Sequence, residues 1–144
     1  MHLTDKTKTT RVMNAVAAGT TSQTSSVIDM QGFDGCRFTA LFGALTATQV
    51  TSLKVQQSDN SDGSSAEDLT GASTAALADG DGNKCLIVDV LRPTKRYLKA
   101  VVVRGTANAV IDGVIAEQYT ARTLPTTQPT SVKEAVKVVN PAAA

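Results

Sequence analysis

Residue types that support covalent or metal chemistry are sparse in this chain of 144 residues: one histidine, His2, and two cysteines, Cys36 and Cys85. His2 sits in the polar stretch Met1-His2-Leu3-Thr4-Asp5-Lys6, whereas a general base must be held rigidly against its nucleophile. Ser-His and Cys-His nucleophile pairs are therefore excluded. Two thiols and one terminal imidazole cannot supply the four ligands of a zinc centre. Gly80-Asp81-Gly82-Asn83-Lys84 lacks the spacing and the following hydroxyl residue of a phosphate-cradling loop. Glu67 and Asp68 are adjacent carboxylates, but their polar surroundings solvate them rather than poise them for proton transfer. Ser58-Asp59-Asn60-Ser61-Asp62-Gly63 puts Asn60, Asp62 and Gly63 in the register of a calcium loop. Ser58 and Leu69 then occupy the places of the two strongest carboxylate ligands, so the segment reads as an ordinary turn. The expectation is a protein with no catalytic residues, no bound metal and no cofactor.

Charge and composition narrow the partners. Fourteen basic and 13 acidic side chains leave a net charge of +1, without the basic stripe that displaces counterions from phosphates, so nucleic acid is not expected. There is no tryptophan and there are only two tyrosines and three phenylalanines, few platforms for stacking on sugars. No run approaches the ~18–20 apolar residues of a membrane span, and residues 1–6 lack the apolar core of a secretory signal. Cys36 and Cys85 lie in apolar runs, as buried free thiols or as one bridge between neighbouring strands. Folding in a reducing compartment is expected.

The elements that would carry a binding surface are mostly strands. Residues 1–11 are polar and Thr/Lys-rich and read as a flexible N-terminal arm. Val12, Met13, Ala15 and Val16 make a weak first strand, and Val27 to Met30 a second. Cys36, Phe38, Ala40 and Phe42 then alternate with Arg37, Thr39 and Leu41, the period of two of a half-buried strand. Val50 to Ser58 repeats it, with Leu53 and Val55 inward. Residues 59–83 read as a long connection with one capped helical turn at Ser64 to Glu67. Lys84 to Val90 reads as a strand buried partly on both faces, followed by strands over 96–103 and 110–119. About seven closely spaced strands predict an antiparallel β-sandwich or jelly roll over residues 12–120. Its expected core is Phe38, Phe42, Leu53, Val55, Leu86, Val88, Leu98, Val102, Ile111 and Ile115.

Residues 121–144 read as an extended C-terminal arm. Arg122 to Thr130 is Thr/Pro-rich and unsuited to a central strand. Val132, Ala135, Val136 and Val139 then recur at helical spacing behind Ser131 and Glu134, an amphipathic helix of poor intrinsic propensity. Val136-Lys137-Val138 reads equally as a strand added to a neighbour's edge. Both readings need a partner surface; without one the segment is a disordered tail.

Several stretches together carry a resemblance: Phe42 to Thr48, Leu53 to Asp59, Glu67 to Gly71, and Arg92-Pro93 with Lys95 to Leu98. Over roughly residues 27–124 the chain resembles the jelly-roll head decoration, or cement, proteins of tailed bacteriophages. The resemblance implies a virion protein made in the host cytoplasm and seated on the outer capsid surface. It would bind the major capsid protein and copies of itself, as a dimer or trimer that bridges capsomers. It transfers no catalytic residue. The residues expected to dock are Leu124, Pro125, Val132, Val136 and Val139, with Arg122 as a polar rim contact. Two other classes share the β-domain: a tail, head-completion or fibre-base component of a virion, and a carbohydrate- or receptor-binding module.

Overall fold

Two long strands organise the structure, a computed structural model that describes residues 1–143. They are β5 (Phe33–Leu45) and β10 (Ala109–Ala121), which pair antiparallel from Ala121 opposite Phe33 to Ala109 opposite Leu45. β1 (Lys8–Met13) and β8 (Cys85–Leu91) flank them, giving the order β1-β10-β5-β8, and β2 (Val16–Gly19) also pairs with β10. The second sheet is β3-β9-β6-β7, built from β3 (Gln23–Thr24), β9 (Tyr97–Gly105), β6 (Val50–Ser58) and β7 (Glu67–Ser73). β4 (Ile28–Asp29) pairs with β9. All pairings are antiparallel and the two sheets face each other, so the fold is the expected β-sandwich.

The reason is the period of two. Phe38, Ala40 and Phe42 of β5 point inward with Ile111, Val114 and Ala116 of β10, and meet Leu53 and Val55 of β6 and Leu98, Ala100 and Val102 of β9. A fully buried aliphatic or aromatic side chain contributes roughly 1.5–3 kcal/mol, so this layer outweighs any single polar contact. Of the ten expected core residues, Leu86 packs at the core's margin and Ile115 does not face it. The cause is a register shift in β10 between Ile111 and Gly113. Gly113, at φ 148°, adopts a backbone that side chains disfavour, and a Cβ there would meet the Met13 carbonyl at 3.1 Å. Beyond this bulge the alternation slips by one, so Val114 and Ala116 turn inward and Ile115 outward.

Other expectations need correction. Residues 1–11 are not a free arm: a helical turn, α1 (Leu3–Lys6), leads into β1, which binds the edge of β10. The 59–83 connection contains β7, and Ser64 to Glu67 forms no helical turn. β8 is buried on one face only, because its sheet packs on the second sheet with one face and turns the other to solvent; Cys85 is exposed, Cys36 is buried, and both are free thiols. No helix forms over 131–139, and residues 122–143 carry neither helix nor strand among the described residues.

Candidate protein-binding surface

The two chain ends meet along the free edge of β1. Gln128 closes a double link: its amide Nε2 donates to the carbonyls of Thr4 (3.0 Å) and Thr7 (2.7 Å), and its Oε1 accepts from the Thr9 amide at 3.0 Å. The Thr126 hydroxyl shares its one proton between the same two carbonyls, the Thr126 amide donates to the Asp5 carbonyl, and Ser131 Oγ accepts from the Arg11 amide. An open strand edge presents unpaired amides and carbonyls; here polar side chains 119 to 120 residues away satisfy two of the amides. Further out, Lys137 Nζ contacts Asp5 at 2.8 Å and holds that carboxyl below its usual range.

This clasp separates the residues expected to dock. Leu124 is half-exposed in a shallow depression with Leu3, Lys6 and Tyr119. Its peptide bond to Pro125 is cis, and Pro125 is exposed. Val132 lies in a cleft with Thr9, Arg11, Leu41 and Ile115 on the outer face of the β1-β10-β5-β8 sheet. Val136 and Val139 stand 72% and 79% exposed and touch no part of the core. Arg122 is at the end of β10, its guanidinium 3.1 Å from Asp34. Arg122, Leu124 and Val132 therefore lie against different parts of the fold.

A second feature is the cavity of about 650 Å3 at the end of the sandwich, between residues 30–34, 92–96 and Arg122. Four cations line it, and three have partners. Arg96 makes a two-pronged contact with Asp29 at 2.8 Å on each prong, also reaches Gln31, and lies over the Tyr97 ring at 5.2 Å. Its guanidinium holds the Asp29 carboxyl below the ordinary carboxylate range. Lys95 contacts Asp59 and Glu67, and Arg122 contacts Asp34. Arg92 is exposed and, among the described residues, its side chain has neither a hydrogen bond nor an ion pair. Pairing nearly cancels the local charge, which makes the cavity polar but not strongly attractive to anions.

The apolar surface lies elsewhere. On the outer face of β5 and β8, Leu41, Ile87 and Leu91 are 39%, 49% and 60% exposed, and Cys85 sits opposite Leu41. Leu41 was readable as outward-facing from its alternation with Phe42. Ile87 and Leu91 were missed, although Asp89 between them marks the solvent side of that strand. Asp89 accepts a 2.5 Å hydrogen bond from the Tyr119 hydroxyl, whose pKa burial and this carboxylate push up to about 12.

The reactive groups are tied into structural contacts. Cys36 is buried and its thiol is pushed up by desolvation, then by Asp89 and Glu117, which disfavours the nucleophilic thiolate. Glu67 is held low by Gln57 and Lys95, and Asp68 by Gln56 and Lys54. In the Ser58–Gly63 turn, Asp62 accepts from the Ser64 amide while Ser58 and Asn60 donate to the Ser64 carbonyl. No group of three or more potential metal ligands occurs among the described residues. No helix of the described residues is long and apolar enough to cross a membrane. No protein-family model matches the chain, and no curated protein matches it.

Proposed function

We propose that this chain is a structural virion protein that decorates the outer surface of a tailed-phage head and bridges neighbouring capsomers. The observation that carries the reading is the concentration of exposed apolar side chains on one sheet face and along one Val-rich tail. Contiguous exposed apolar surface marks sites of protein contact. A β-sandwich with a projecting segment suits a clamp, and the resemblance to cement proteins supplies the partner, the major capsid protein. Many copies on a symmetric shell would convert a modest single contact into tight retention.

The test is co-sedimentation of the purified chain with shells assembled from a major capsid protein encoded beside it. Saturation at a fixed ratio of copies to capsomers is the expected result. Failure to sediment with the shells would overturn the reading. A ring or stalk stoichiometry of a few copies per particle would reassign the chain to a tail or head-completion part.

A further inference from the structure

Both sheets of the sandwich end on the same side in a strand with a single long neighbour. β8 pairs with β5, and β7 pairs with β6. Between them runs a groove of about 440 Å3, lined by residues 69–74 and 87–94. Exposed edges are commonly blunted by lysine, proline or a bulge. β8, Cys-Leu-Ile-Val-Asp-Val-Leu, has no lysine, proline or bulge, carries the single charge of Asp89, and pairs with β5 in unbroken register. The same chain carries a segment with three valines and no strand partner, Glu134 to Asn140. Val136, Val138 and Val139 there are 72%, 54% and 79% exposed. Its one side-chain hydrogen bond among the described residues runs from Lys137 to Asp5.

We propose that residues 134–140 of one copy add as a strand to the free edge of β8 in a second copy, filling its β7–β8 groove. With the donor antiparallel to β8 and Lys137 opposite Asp89, the rest of the register follows. Glu134 falls opposite Arg92, Ala135 opposite Leu91, Val136 opposite Val90, Val138 opposite Val88 and Val139 opposite Ile87. Directly opposed residues share a face of the sheet. Val136 and Val138 therefore turn into the groove with Val88 and Val90, while Ala135, Lys137 and Val139 extend the outer face beside Leu91, Asp89 and Ile87. Glu134 reaches the partnerless guanidinium of Arg92 at the groove's mouth. Two opposite-charge pairs and the apolar pairs are thus met in one register. A slip of one residue would set a valine against Asp89 and drive Lys137 inward.

Within one copy the donor is held away from this groove. Ser131 ties the segment's root to β1, at the far edge of the sheet from β8, and Lys137 turns back toward Asp5. Two copies side by side bring donor and acceptor together; reciprocal exchange closes a pair, and one-way exchange builds a ring or chain. The pairing requires the chain alone, so it stands or falls independently of shell binding.

Sedimentation velocity on the purified full chain tests it, alongside a chain ending at Ser131, which keeps the Thr126, Gln128 and Ser131 clasp. The full chain self-associates and the shortened chain sediments as a monomer. Arg92→Glu and Glu134→Arg each weaken association roughly fivefold to tenfold, and the double variant recovers it. Both residues are exposed, so circular dichroism and the unfolding midpoint stay at the parent values. A full chain that is monomeric at all concentrations would overturn the proposal. So would association that survives truncation, which would assign the edge to direct β8–β8 pairing, or a double variant that fails to recover.

Discussion

Gly35 shows how one missing methyl group sets a polar contact on the surface. The Tyr119 ring lies across it, and a Cβ there would fall 2.1 Å from Tyr119 Cζ. Gly35→Ala must expel the ring and break its bond to Asp89, at a cost of about 1–3 kcal/mol by overpacking, measurable by denaturant unfolding. A spectrophotometric titration would see the same event, because the Tyr119 transition near pH 12 falls back toward 10 in that variant. The sign for stability follows: a phenol whose native pKa is raised favours folding below pH 10, and that contribution is lost as pH climbs from 10 to about 12. Arg104 is a different case. Its buried guanidinium donates to the carbonyls of Thr21, Ala17 and Ala109 and so pins the β2–β3 connection to β9. Arg104→Ala leaves those carbonyls short of donors and costs about 3 kcal/mol, again read by unfolding.

The bulge in β10 gives a sharp contrast between neighbours. Val114→Ala removes fully buried methyl groups and costs about 2 kcal/mol, whereas Ile115→Ala, on the outer face, costs under about 1 kcal/mol. Without the bulge the order would reverse. The alternation is clearest in β5 and β6 because burial writes it: Cys36, Phe38, Ala40 and Phe42 along the middle of β5, and Thr51, Leu53, Val55 and Gln57 along β6, are all buried on one face. β7 and the first half of β1, Lys8 to Arg11, escape pattern reading for the opposite reason, whereas Val12 and Met13 at the end of β1 are buried and legible as strand. Glu67 to Ser73 buries no side chain fully, and the β1 amides find acceptors in Gln128 and Ser131, far along the chain. Such strands are made by backbone pairing, which leaves little trace in hydrophobicity. Asp112-Gly113 inside a strand was the available sign of the bulge. Composition and helical spacing mark residues 122–139 as one docking arm, and the fold sets Arg122, Leu124 and Val132 of that arm against different elements. Gln128→Ala should release this edge: amide exchange at Thr9 accelerates while core amides such as that of Leu98 keep their protection.

For the molecule as a whole, pH stability should form a plateau. Asp29, Asp62, Glu67, Asp68 and Asp81 are all held below their ordinary values by hydrogen bonds or ion pairs. A depressed carboxyl favours folding above its unfolded pKa, here 3.8 for Asp and 4.5 for Glu, and that advantage fades as pH drops through the native values. Thermal unfolding midpoints should therefore hold steady from about pH 5 to about pH 9 and fall on either side, the alkaline limb starting where the unfolded Cys36 thiol ionises at 9.0 and steepening as Tyr119 follows. The polar clasp between Thr4, Thr7, Thr126 and Gln128 has one more consequence. It brings the start and finish of the sandwich side by side, and the 12 residues from 132 to 143 are long enough to serve as a tether between them. The covalent order of the strands is then dispensable: a circularly permuted chain, sealed through that tether and cut open at the solvent-facing Gly80 turn, keeps every strand pair described above.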